Sequence, residues 1–147
     1  MNKTNVLKLL FITGNNNFSL NIGLLFTRLF VGSFMLIHGL QKLLNFQTLA
    51  LTFPDPIGLG SAFALILIIF AEFFCSILLI VGLFSRLATI PLIIGMSVAA
   101  FFAYAGQAFM ARELPLIYIC IYISLLILGP GNISLDNFIS KKLSKIS

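Results

Sequence analysis

The chain has 147 residues, of which 60% are hydrophobic and 9% charged, with a net charge of +5 and a mean hydropathy of +1.12. A soluble domain is typically about 45–50% apolar and about 25% charged, so the composition excludes a soluble globular protein and indicates a one-domain integral membrane protein. The nine Lys and Arg are dispersed, with no basic stripe interleaved with aromatics, which argues against nucleic acid as a partner.

The N-terminal stretch "MNKTNVLKLLFITGNNNFS" has a basic start and an apolar patch. Lys8 interrupts the patch, and "GNNN" stands where a small-residue cleavage site would be needed. Residues 1–20 are therefore expected to form an uncleaved cytoplasmic arm that lies on the membrane surface through Val6, Leu9, Leu10 and Phe11.

Four segments approach the roughly 20 apolar residues that a spanning helix requires. They cover residues 21–44, 60–84, 86–105 and 113–128. "TFPDPIGLG" breaks the chain after the first, because its prolines and glycines cannot continue a helix. "GLFSR" is so short a turn that the second and third helices must be antiparallel neighbours. Gly129-Pro130-Gly131 stops the fourth. In the tail, 129–147, "NISLDNFISKKLSKIS" reads as a short interfacial helix with a basic end. The expected fold is all-α: a membrane four-helix bundle followed by that helix.

Lys3, Lys8, Arg86, Lys141, Lys142 and Lys145 fall on one side, and Lys42 and Arg112 on the other. Positive charge favours the cytoplasm, so both termini are expected inside an inner, or plasma, membrane.

The second span carries a charge at its centre. "LILIIFAEFFCSILLIVGLF" (65–84) holds only Glu72 among apolar residues, and such a charge costs roughly 3 kcal/mol on insertion scales. The first span offers partners. Arg28, Val31, Met35, His38 and Lys42 share one helical face. If the span midpoints coincide, Arg28 and His38 sit about 7 Å to either side of Glu72's depth. An ionised Glu72 would pair with Arg28, which holds its proton, with titratable His38 as the alternative. Arg86 and Glu113 are expected at the starts of spans three and four. Gly32, Gly39, Gly82 and Gly95, with Ser33, Ala71 and Ser76, permit close helix approach. Cys75 and Cys120 have no metal-ligand or dithiol spacing and read as small buried hydrophobes. No metal site is expected.

The pieces "RLFVGSFMLIHGLQKL" (28–43), "DPIGLG" (55–60), "AEFFCSILLIVGLFSRLATIPL" (71–92), "ELPLIYI" (113–119) and "GPGNISLD" (129–136) together resemble the DoxX family of membrane proteins. The resemblance implies a four-helix bundle related to the small subunit of a thiosulfate:quinone oxidoreductase. Carried over by motif, it marks Arg28, His38, Lys42, Glu72, Arg86 and Glu113. Where many members carry a histidine near the end of span three, this chain has Tyr104, which can hydrogen-bond but does not bind a metal or titrate near neutral pH as histidine does.

Three functions follow as expectations. The first is a non-autonomous subunit of a quinone-linked oxidoreductase. In it His38, Tyr104 and Arg28 would bind a quinone, Glu72 would exchange protons and a soluble or membrane redox partner would supply electrons. The second is a small proton-coupled transporter or permeation unit, assembled as a homo-oligomer. The third is a membrane scaffold whose polar network fixes helix register. The residues themselves point to no cofactor; quinone enters through the resemblance.

Overall fold

The computed structural model describes residues 17–56 and 58–143. The proposed surface arm through Phe11, with Lys3 and Lys8, lies outside them, as does Lys145. The described residues form six helices in order: α1 (Asn17–Leu44), α2 (Phe46–Leu49), α3 (Ser61–Val81), α4 (Ser85–Ala103), α5 (Phe109–Leu128) and α6 (Leu135–Leu143). No strand occurs among the described residues. α1, α3, α4 and α5 are each long and apolar enough to cross a membrane, and the protein is a multi-pass membrane protein.

α3 and α4 each contain a widened π-helical turn, Phe70–Cys75 in α3 and Ala99–Ala103 in α4. Such turns insert extra backbone into an α-helix and recur at functional sites. The hydropathy pattern gives no sign of either. The first turn surrounds Glu72, and Ala71, Glu72, Cys75 and Ser76 are all buried around it.

Each break has a local cause. Asp55 accepts hydrogen bonds from the Leu59 and Gly60 amides and so shapes the loop that enters α3. Gly82 ends α3 at φ +75°, a left-handed conformation suited to glycine, with its N–H bonded back to Leu78. α5 ends at Gly129, whose N–H donates to Leu125. α1 begins at Asn17, four residues before the expected start. α5 begins at Phe109, so Glu113 is its fifth residue rather than its first.

α4 packs along α5, α1 along α3, and α3 joins the two pairs, while α1 meets α5 only sparsely. The core is drawn from α1 (Val31, Met35), α3 (Leu79), α4 (Leu92) and α5 (Tyr122, Leu125). The exterior is also apolar. Phe26, Phe30 and Phe34 form an exposed row on α1 with adjacent ring centroids 4.4 and 5.8 Å apart. An apolar outside suits a bilayer, which supplies no hydrophobic drive between helices, so close packing must hold them. Gly32, Gly39 and Gly95 supply it, since a Cβ at each would fall within 2.7 Å of the facing helix. Ser33 is exposed instead, and so is Cys120, contrary to its expected burial.

Candidate functional site

α1 and α3 run antiparallel, and their glycine contacts fix the register. Gly39 lies against the backbone of Glu72 and Phe73, and Gly32 against Ile80. Glu72 is therefore level with residue 39. Lys42, one turn further along α1, reaches back to it. The ammonium donates to Glu72 Oε2 at 2.5 Å in an ion pair whose side chains are 24% and 4% exposed. Lysine can do this because its flexible stem crosses apolar surface while the head finds a partner.

The Arg28–Glu72 pair expected from the sequence does not form. By the same register Arg28 is level with Gly82, about 16 Å along the axis from Glu72 at 1.5 Å per residue. The midpoints of α1 and α3 do not coincide, since Gly39, near the end of α1, docks at the middle of α3.

His38, next to Gly39, is level with Glu72 and within electrostatic reach of it, yet exposed on the outer face of α1. Tyr118 and Tyr122 of α5 also feel the Glu72 charge. Their rings stack at 5.8 Å. The hydroxyls of Tyr122 and Ser76 are fully buried and make no hydrogen bond within the protein. The sequence reading missed Ser76, Tyr118 and Tyr122 as polar neighbours of Glu72, because a tyrosine in an apolar run gives no signal of which way its hydroxyl points. The Glu72 carboxylate thus has an ammonium bonded to it, an imidazole at its level and two tyrosines within electrostatic reach. This site can hold a proton and offer hydrogen bonds to a ligand that arrives from the lipid side.

Arg28 belongs to a second cluster, at the end of the bundle where the tail returns. It is 1% exposed. Its guanidinium donates to the carbonyls of Pro130 and Ile133, the latter at 3.0 Å, and feels the charge of Asp136. Asp136 accepts from the amides of Phe84 and Ser85 at 2.7 and 3.0 Å, which satisfies the start of α4. The Asn132 amide donates to Asn21. Arg86 reaches the Ile127 carbonyl at 3.3 Å and lies against Gly129, where it caps α5. The tail motif "GPGNISLD" is thus a folded plug across the ends of four helices.

The remaining candidates lie apart from Glu72. Tyr104 follows the π-turn of α4 at the opposite end of the bundle and is partly exposed. Glu113 is exposed on α5. Its neighbour Arg112 donates Nε–H to the Ala100 carbonyl in the π-turn at 3.0 Å and covers the Phe101 ring. Among the described residues, no three His, Cys, Asp or Glu side chains converge.

The DoxX family model matches residues 23–105, from the first turns of α1 through the end of α4. The fourth span and the tail plug lie beyond the match. No curated protein and no solved structure matches the chain.

Proposed function

The chain belongs to the DoxX family, and from that premise we propose that it is the membrane subunit of a redox complex and binds a quinone from the lipid phase beside Glu72. One observation carries this reading: His38 is exposed on the outside of a spanning helix at the level of the buried Lys42–Glu72 pair. A ligand dissolved in the bilayer meets His38 first.

The residues fit a quinone. His38 and Lys42 offer N–H donors to its carbonyl oxygens. When bound, a quinone supplies two-electron, two-proton redox chemistry. The chain's own task is to orient the ring and exchange a proton at the Glu72 carboxylate, which Lys42 holds in place. Electrons come from a partner protein. Arg28 and Tyr104, which stand far from Glu72 along the bundle, drop out of the proposed binding set.

On this reading the protein sits in the inner membrane with both termini in the cytoplasm. Lys42 is engaged with Glu72 and ceases to count toward orientation. Arg28, Arg86, Lys141 and Lys142 then mark the plug end as the positive, inner side, against Arg112 at the other.

The test is extraction in mild detergent from native membranes, followed by quinone analysis and titration with a short-chain quinone. The expected result is saturable one-to-one binding that His38→Ala weakens at least tenfold and Glu72→Gln alters in its pH dependence. No quinone and no co-purifying oxidoreductase would overturn the reading. Proton-driven flux dependent on Glu72 in proteoliposomes would replace it with transport. Normal partner assembly by Lys42→Met/Glu72→Leu, without quinone binding by either protein, would replace it with scaffolding.

A further inference from the structure

α6 turns its polar side toward the protein and its apolar side outward, as the spanning helices do. Its inward side carries Asp136, bonded to the α3–α4 turn, and Asn137, whose side chain donates to the Asn132 carbonyl. Its outward side carries Leu135, Phe138 and Ile139, at the i, i+3, i+4 spacing of one helical face. Phe138 is 67% exposed, although nothing polar competes for its place. A helix packed on a protein from water buries its apolar face and exposes its polar one. Here the protein takes the polar face, so the medium outside must take the apolar one.

The position of α6 identifies that medium. Asp136 fastens the helix to the turn between two spanning helices, at the level where a bilayer meets water. Phe84 in that turn is exposed beside it. Lys141 and Lys142 stand exposed in the last turn of the helix. Apolar residues on one face with lysines at the end match the boundary between acyl chains and anionic headgroups.

We propose that α6 is a docking element for anionic phospholipid. Leu135, Phe138 and Ile139 sink into the acyl boundary, and Lys141 and Lys142 hold the phosphates of acidic headgroups. This site is independent of the quinone reading, being at the plug end and built from other residues. Through Asp136 it also ties the charge of the leaflet to the turn that starts α4.

The chain contains no tryptophan, so Phe138→Trp gives a single tryptophan whose emission can be excited selectively. It would be reconstituted in bilayers of phosphatidylcholine, alone or mixed with phosphatidylglycerol, with or without brominated acyl chains. The expected result is blue-shifted emission quenched by bromine, with quenching at least twofold stronger when phosphatidylglycerol is present. Adding Lys141→Gln and Lys142→Gln should abolish that lipid difference while the blue shift remains. Water-like, unquenched emission in both bilayers would overturn the proposal and leave a soluble protein as the partner of this face. Equal quenching in both bilayers would overturn the anionic selectivity. A Leu128→Trp control at the end of α5 reports whether the bundle itself is correctly inserted.

Discussion

Lys42 and Glu72 form an ion pair across the α1–α3 interface at 2.5 Å, but the two ends are not equally buried, with 24% of the lysine side chain exposed and 4% of the glutamate. The asymmetry orders the mutants. Lys42→Met strands a carboxylate in the core and should cost about 3–5 kcal/mol, the range for an unpaired buried charge. Glu72→Gln leaves an ammonium two residues from the end of α1, whose flexible stem lets it snorkel to the membrane interface, so a smaller cost of about 1–2 kcal/mol is expected. The double variant Lys42→Met/Glu72→Leu removes both charges and should return to within about 1 kcal/mol of the parent. Unfolding of the detergent-solubilised protein by titration with a denaturing detergent measures all three. A double variant worse than either single would show that the pair is not the unit of stability.

Gly39 makes the pair possible by letting α1 approach the π-turn. A Cβ there would meet the Glu72 carbonyl carbon and the Phe73 nitrogen at 2.6 Å, both backbone atoms that cannot rotate away. Gly39→Ala should therefore push the helices apart and cost about 1–3 kcal/mol. At Gly95 the nearest atom is the tip of the Ile68 side chain, at 2.7 Å. That tip can change rotamer, so Gly95→Ala should cost less than half as much. The two thermal midpoints, compared side by side, test the distinction. Equal shifts would mean that the α1–α3 approach is not special.

The sequence made the four spans legible because hydropathy is a bulk property, and the first two loops and the tail carry their own breakers in Pro54, Gly82 and Gly129. It also made the cost of Glu72 legible, since a carboxylate in an apolar run is expensive wherever its partner sits. The identity of the partner was not legible. Aligning span midpoints brought Arg28 near Glu72, whereas the register follows from where Gly39 docks on α3. The π-turn around Glu72 leaves no trace in composition. Arg28 was read as a counter-ion because an intramembrane arginine invites one, yet carbonyl oxygens freed by the glycine-proline tail serve it as well.

Asp136 joins the tail to the start of α4 through the amides of Phe84 and Ser85. Phe84 holds a left-handed φ of 47° there, unusual for a non-glycine residue. Asp136→Ala frees two amides at a helix start and should cost about 0.5–2 kcal/mol. Asp136→Asn keeps one acceptor oxygen and should cost less. Limited proteolysis after Lys141 and Lys142 reads the local effect, with faster cleavage expected in the order Ala, Asn, parent. Unchanged cleavage in Asp136→Ala would show that the tail is held mainly by Arg28.

Arg28 provides the sharper test of the plug. Its planar guanidinium serves two carbonyls, Pro130 and Ile133, that lie on different turns of the tail. A lysine has the charge but no fork, and its single head reaches one of them. Arg28→Lys should therefore lose about 1.5–3 kcal/mol, the value of one hydrogen bond to a charged group. Arg28→Met should lose more, because both carbonyls and the nearby Asp136 carboxylate are left without a cation. A cysteine placed at Ser134, packed against Gly82, should be protected from a water-soluble thiol reagent in the parent. It should become labelled in Arg28→Met, with Arg28→Lys between the two. If Arg28→Met leaves Ser134→Cys protected and instead makes a cysteine near Glu72 reactive, the arginine acts on the middle of the bundle after all.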